Sequence, residues 1–325
     1  MDTAQWLAMP QQVEAQVARW ERAFPHLLRV EYLTQYTGQR CFALTVGATE
    51  EAPGQRPAAW ICVPHAHEPA GTAAIMDIIE QLLTGRDLAG QPAAFDYLAA
   101  RQRLFLTFNP DANPGGRAWA PCLWWDGSKY SNDEFWTWMR GIDPETQGMW
   151  QRVARWSLRE EQPLRRGIVY EQLNEHEFVE PNRDPGSSLV RLFRRLDRQY
   201  RFARSLHLHQ TEFERSDRNC MINLPVLQVE LPEQIQAANV AWGQAIIDAW
   251  QRMGATPVPA PRGFPYQSDT KTTAWFRDCW GEAQHRAPEL IVEVQNNSPR
   301  TPPEQQLALQ QAAMRVTIEQ MLRME

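Results

Sequence analysis

The chain has 325 residues, 43% of them hydrophobic, which is enough for one large α/β domain or two ordinary ones with a substantial core. A net charge of −6 and an isoelectric point near 5.7, with no arginine or lysine block set among aromatics, argue against a nucleic-acid partner. There is no basic leader, no apolar core of signal length and no membrane-length run, and the five cysteines never form a C-x-x-C pair. The expectation is a soluble, cytoplasmic protein with neither membrane contact, disulfide framework nor thiolate metal site.

Residues 3–23 carry apolar groups at helical spacing, and "LLRVEYLTQY" and "QRCFALTVG" read as two strands joined by a turn at Thr37-Gly38. "AAWICVP" is a short, continuous apolar run of the kind found in a sheet covered on both faces. "EPAGTAAIMDIIEQLLTG" then reads as a helix stopped by Gly85. "RLFLTF", "ARSLHLH" and "PELIVEV" are further buried strands, with helices over 187–200, 231–253 and 302–323. Strands alternating with helices predict an α/β fold with a mostly parallel or mixed central sheet and helices on both faces. No repeat or low-complexity linker marks a boundary, so residues 1–325 read as a single domain. Seven of the fourteen tryptophans fall between Trp119 and Trp156, within an insertion at about 118–165. Such a density reads as a packed lid rather than a ligand platform.

In open α/β sheets ligands bind beyond the carboxyl ends of the strands, so the polar groups that follow apolar runs are the informative ones. His65 and Glu68 follow "AAWICVP", "NPDANPGGR" with Arg117 follows "RLFLTF", His209 ends "ARSLHL", and Glu293 lies in "LIVEVQNN". Three nitrogen or carboxylate ligands hold a zinc ion and leave a position for water, whose pKa then falls to roughly 7. Glu293 is the candidate base for that water, and an arginine would stabilise the oxyanion. Two histidines in "SLHLHQ", His207 and His209, point to one face of a strand, so spacing leaves the third ligand open between them.

"HAHE" with "PAGT", "NPDANPGGR", "PNRDP", "LHLHQ" and "VEV", in that order, resemble the successive motifs of the zinc metallocarboxypeptidases of the carboxypeptidase A type, in a bacterial-like form. The resemblance implies a zinc carboxypeptidase-like fold and one zinc per chain held by His65, Glu68 and His209, the last because "HLHQT" is similar to the D-L-H-E of bacterial members. It implies Glu293 as general base and Arg117 as the group that polarises the scissile carbonyl. Asn182 and Arg183 would clamp the substrate's terminal carboxylate, with Tyr266 closing over it and Thr273 in the pocket floor. The function implied is release of a C-terminal residue from a peptide or peptide-like substrate with a free carboxylate, by attack of a zinc-bound water. An N-acyl amino acid deacylase of the desuccinylase or aspartoacylase kind and a non-catalytic peptide-binding module are the alternatives. Two departures stand out: His67 occupies a position usually held by arginine, and the interval from Arg117 to Asn182 is longer than in the digestive enzymes.

Overall fold

The computed structural model describes residues 6–213, 216–265 and 269–324. Helix α1 (Pro10–Ala23) is followed by strands β1 (Leu28–Thr34) and β2 (Arg40–Val46), paired antiparallel from Leu28↔Val46 to Thr34↔Arg40. Strand β3 (Ala58–Cys62) leads to α2 (Pro69–Thr84), which ends at Gly85 in the left-handed conformation, as the stop signal requires. Next come α3 (Tyr97–Arg103), β4 (Phe105–Asn109) and the single turn α4 (Pro114–Arg117). The tryptophan-rich stretch and its flank hold α5 (Asn132–Arg140) and the short strands β5 (Gly141–Ile142), β6 (Arg155–Ser157), β7 (Arg165–Arg166), β8 (Glu171–Gln172) and β9 (Glu177–Val179). The chain then runs through α6 (Ser188–Tyr200), β10 (Arg204–Thr211), β11 (Cys220–Asn223), α7 (Glu233–Arg252), α8 (Thr270–Gln284), β12 (Glu289–Gln295) and α9 (Pro303–Met321).

The central sheet has the order β1-β2-β4-β3-β10-β12-β11. The β4-β3-β10-β12 core is parallel, while β1-β2, β2-β4 and β12-β11 pair antiparallel, which makes the sheet mixed. Alternation along each strand explains the continuous apolar runs: Ala59 and Ile61 of β3 pack with α1, α2, α7 and α9, whereas Trp60 and Cys62 pack with α6 and α8. The same alternation on β10 and β12 sends Leu206, Leu208, Leu290, Val292 and Val294 into the first layer. His207, His209, Glu289, Ile291 and Glu293 therefore face the α6/α8 side. A cleft on that side opens where the parallel strands end.

Trp125, Trp150 and Trp156 of the tryptophan-rich stretch are buried and pack, whereas Trp119 is exposed and Trp136 lines the cleft. Trp150 and Trp156 share a small core with Met139, Tyr170 and Phe178, and Trp156 stacks on Phe178 at 4.4 Å between ring centroids. Trp125 and Phe135 pack with Ile168 against Ala66, which lies between His65 and His67. The insertion thus braces the turn that carries the first candidate ligands. Among the described residues no helix is long and apolar enough to cross a membrane.

Candidate active site

β3 ends at Cys62, and its chain direction is kept beyond the strand by Val63 N–H donating to Asn109 O at 3.0 Å. A tight turn, with Glu68 N–H on His65 O at 3.1 Å, brings both side chains to one side before Pro69 opens α2. Gly71 lets that helix approach the sheet: a Cβ there would stand 2.7 Å from Val63 Cγ2 and 3.2 Å from Leu208 Cβ. His209 comes from β10, where its register partner on β12 is Glu293. Gln310 of α9 donates to His209 O at 2.8 Å, and Gln210 bridges Ala70 N–H (2.9 Å) and Gln306 (2.8 Å), so α2, β10 and α9 are tied behind the site.

His65 Nδ1, Glu68 Oε1 and His209 Nδ1 converge, with separations of 2.9 Å, 3.1 Å and, between the two nitrogens, 3.2 Å. Four-coordinate zinc with bonds of about 2.0–2.1 Å sets its ligand atoms about 3.3 Å apart, so the spacing matches one shared ion. All three residues are buried, and Glu68 Oε2 has no hydrogen-bond partner. A buried carboxylate oxygen left unmatched beside two imidazoles is what a cation would satisfy. The donor set therefore fits zinc.

The outer partners orient the ligands. Glu180, fully buried, lies with Oε1 2.7 Å from His65 Nε2 and 2.8 Å from an Arg152 guanidinium nitrogen. Bonding at Nε2 leaves Nδ1 of His65 for the cluster. Burial opposes charge on His65, but Glu68 and Glu180 outweigh it and raise its pKa to about 9. Burial likewise opposes charge on Glu180 and Glu68, yet the facing histidines hold both well below the usual carboxylate range. His209 goes down, because burial dominates. His67 stacks on His65 with 5.2 Å between ring centroids and meets the edge of Phe135 at 5.9 Å, and burial pushes its pKa well down.

Glu293 lines the cleft, and its Oε2 is enclosed without a hydrogen-bond partner. Burial, then the negative charge of Glu68, raises its carboxyl to about 8. A divalent cation at the three ligands would draw it back down. Asn182 and Arg183 form the facing wall. With its amide nitrogen turned toward Glu180, Asn182 donates to Oε1 at 2.9 Å, and Trp280 Nε1 of α8 holds Asn182 O at 2.9 Å. The Arg183 guanidinium sits 6.0 Å from the Trp275 ring centre and 5.9 Å from that of Phe276. His207 lies one pleat deeper than His209, with Nε2 3.8 Å from Glu289 Oε2 and its ring edge-on to Trp280.

Three expected site residues require correction or lie elsewhere. Arg117 is not in the cleft: it is 1% exposed, and its guanidinium donates to Ala8 O at 3.3 Å and to Leu123 O. The reason is local packing, because Asn113 anchors this loop on Ile168 O and Val169 O at 3.0 and 3.1 Å and a Cβ on Gly116 would collide with Ile168 O. Arg117 is thereby turned into the body of the protein beside Asp111. The guanidinium that reaches the ligands belongs to Arg152, 3.2 Å from His65 Nε2, and it comes from the insertion. Thr273 sits in the first turn of α8, bonded through its N–H to Asp269 O at 2.9 Å, and Phe276 one turn later lines the cleft instead. Lys271 is exposed and lies over Trp275. Tyr266 falls outside the described residues.

Sequence reasoning missed Arg152, Glu180, Asn223 and Arg262. Glu180 had a readable signal, since it follows the apolar "FV" of a strand and stands two residues before Asn182. Arg152 had none, because only the fold of the insertion carries it to His65.

By sequence, no protein-family model and no curated protein matches the chain. Among solved structures, the chain is similar to a metallo-carboxypeptidase from Burkholderia cenocepacia, with TM-score 0.58 and 16% identity over 95% of this chain and 68% of that one. It is also similar to carboxypeptidase A from Helicoverpa armigera, with TM-score 0.60 and 14% identity over 98% and 74% of the two chains. A metallo-carboxypeptidase from Pseudomonas aeruginosa, in complex with (2-guanidinoethylmercapto)succinic acid, superposes with TM-score 0.52 and 12% identity over 96% and 69%. Its strand order, layers and likeness to these structures give the chain the fold of the metallo-carboxypeptidases.

Proposed function

We propose that the protein is a zinc-dependent hydrolase that cleaves a peptide-like amide bond and releases a residue with a free carboxylate. The observation that carries this reading is one cleft holding the His65–Glu68–His209 donors, Glu293 with its enclosed and unmatched Oε2, and the Asn182–Arg183 wall. His65, Glu68 and His209 would hold the ion, which when bound supplies Lewis-acid activation of water and of the scissile carbonyl. Glu293 takes the proton of the attacking water and returns it to the leaving amine, a role suited to an enclosed carboxyl that a cation at the three ligands would keep ionised. Arg152, which lines the cleft and lies at the outer ring nitrogen of His65, is the cation that we assign to the role expected of Arg117. Arg183, a planar fork against Trp275 and Phe276, is suited to a terminal carboxylate.

The test is cleavage of blocked dipeptides bearing a free or an amidated C-terminus. Amidation removes a charge-assisted contact to a buried guanidinium, a loss of roughly 2–5 kcal/mol, so rates should fall at least about thirtyfold. Equal rates would sink the terminal-carboxylate clamp. One observation favours a second reading, an N-acyl amino acid deacylase: Arg152, Arg183 and Arg262 all line the cleft, and a short acyl substrate calls for an arginine-rich pocket. Faster hydrolysis of succinyl amino acids than of any dipeptide would select it.

A further inference from the structure

The sheet itself divides the cleft into two levels. At its mouth, His209, Glu293 and Met221 stand in one row across β10, β12 and β11, because His209 pairs with Glu293 and Glu293 with Met221. One pleat deeper on the same face, His207, Ile291 and Asn223 form a second row. Two residues along a strand span roughly 7 Å, so the second row is the floor that a substrate side chain entering beside Glu293 would reach. Around it, Val258, Phe264 and Phe276 give apolar walls.

That floor is not apolar. Asn223 is 1% exposed, and its Oδ1 accepts from Arg262 Nε at 3.1 Å. Arg262 is fixed to β11 in both directions: its N–H donates to Ile222 O at 3.1 Å, and its carbonyl accepts from Leu224 N–H at 2.8 Å. The amide thus holds one edge of the guanidinium, and Arg262, itself an exposed residue, lines the cleft. Arg152 and Arg183 lie against Glu180. Arg262 has no carboxylate within ion-pair distance among the described residues, only the neutral amide.

We propose that Arg262, seated on Asn223, makes this floor a receptor for a carboxylate side chain, so that the residue released is acidic and glutamate is preferred. The inference rests on the hydrolase reading above and adds the substrate class. Glutamate fits because its methylenes would lie along Ile291 and the apolar walls while its carboxylate meets the fork at the depth of the second row. An aliphatic or aromatic residue would strip water from Asn223 and Arg262 without replacing it, and a basic one would meet like charge. Thr273 and Lys271 play no part in this selection.

The experiment compares kcat/KM of the zinc-loaded full chain on blocked dipeptides ending in glutamate, glutamine, leucine and lysine. Glutamate should exceed glutamine by roughly tenfold, since Arg262 is exposed and solvent screens the pair it would make. Arg262→Gln should lower the glutamate rate until it no longer exceeds that of glutamine, and Arg262→Glu should shift preference toward lysine. Calorimetric binding of free L-glutamate against L-glutamine supplies a readout independent of turnover, with the preference lost in Arg262→Gln. Equal rates on glutamate and glutamine, or an equal fall on all four substrates in Arg262→Gln, overturns the assignment. Release of leucine or lysine with glutamate spared sinks this inference but not the hydrolase reading. No turnover on any of the four sinks the hydrolase reading, and the calorimetric comparison then decides Arg262 by itself.

Discussion

Replacing Glu180 tests how the site prepares its ligands. Its Oε1 lies 2.7 Å from His65 Nε2 and 2.8 Å from the Arg152 guanidinium, with no solvent exposure. The bond holds the ring with Nδ1 aimed at Glu68 and His209. Losing such an outer partner lowers metal affinity by roughly 10–100-fold, or about 1.4–2.8 kcal/mol. Two features set Glu180→Ala near the upper figure. The imidazole loses the acceptor that fixes its tautomer, and Arg152 loses a carboxylate neighbour and stands as a repelling charge beside the incoming cation. Glu180→Gln keeps an acceptor but no charge, so the loss should be about tenfold. The assay is titration of metal-free protein with zinc against a chromophoric chelator, with circular dichroism to follow the fold. Wild-type affinity in a folded Glu180→Ala protein would show that something else orients His65 and would refute the reasoning.

Glu293→Gln should remove nearly all turnover, by roughly a hundred- to ten-thousandfold, while zinc content measured by elemental analysis stays near that of the wild type. The two arginines should separate by assay. Arg152→Ala should lower kcat/KM by roughly a hundredfold or more with little change in melting temperature, whereas Arg117→Ala, which removes a buried guanidinium and the donor to Ala8 O while Leu123 O keeps Trp6 Nε1, should cost about 1–3 kcal/mol in urea unfolding and leave the folded enzyme's kcat near normal. A pH effect follows from Glu289, which burial raises from 4.5 to about 8. A raised carboxyl contributes stability that is fully present below its unfolded pKa and lost as pH rises through its folded one, so the loss falls between about pH 4.5 and 8. Glu289→Gln, which keeps an acceptor for Gln284, should flatten that part of the urea-midpoint profile, and a profile parallel to the wild type's would contradict the assignment.

The local pattern of the chain determined the elements that frame the cleft. Largely apolar runs became the strands β3, β4 and β12, because side chains alternate between two covered faces, while β10 kept its apolar residues to one face and turned His207 and His209 to the other. Ligand-type residues at strand ends were legible only as a set, since neither "HAHE" after a buried strand nor a glutamate within "LIVEVQ" is specific alone. The antiparallel edge strands were less legible, as β11 is only four residues long and lacks its own period. What only the tertiary structure decided was which long polar side chains reach the site. Arg117 and Arg152 are equally plausible as charges in a string of letters. The packing of the tryptophan-rich insertion on Ala66 and Ile168 buries the first and delivers the second to His65. Arg262 is a similar case: its meaning comes from the register that puts Asn223 beside Ile291 and from a backbone bridge across nearly forty residues. Such contacts depend on how separate elements dock, and docking is set by the summed burial of whole faces rather than by any spacing along the chain.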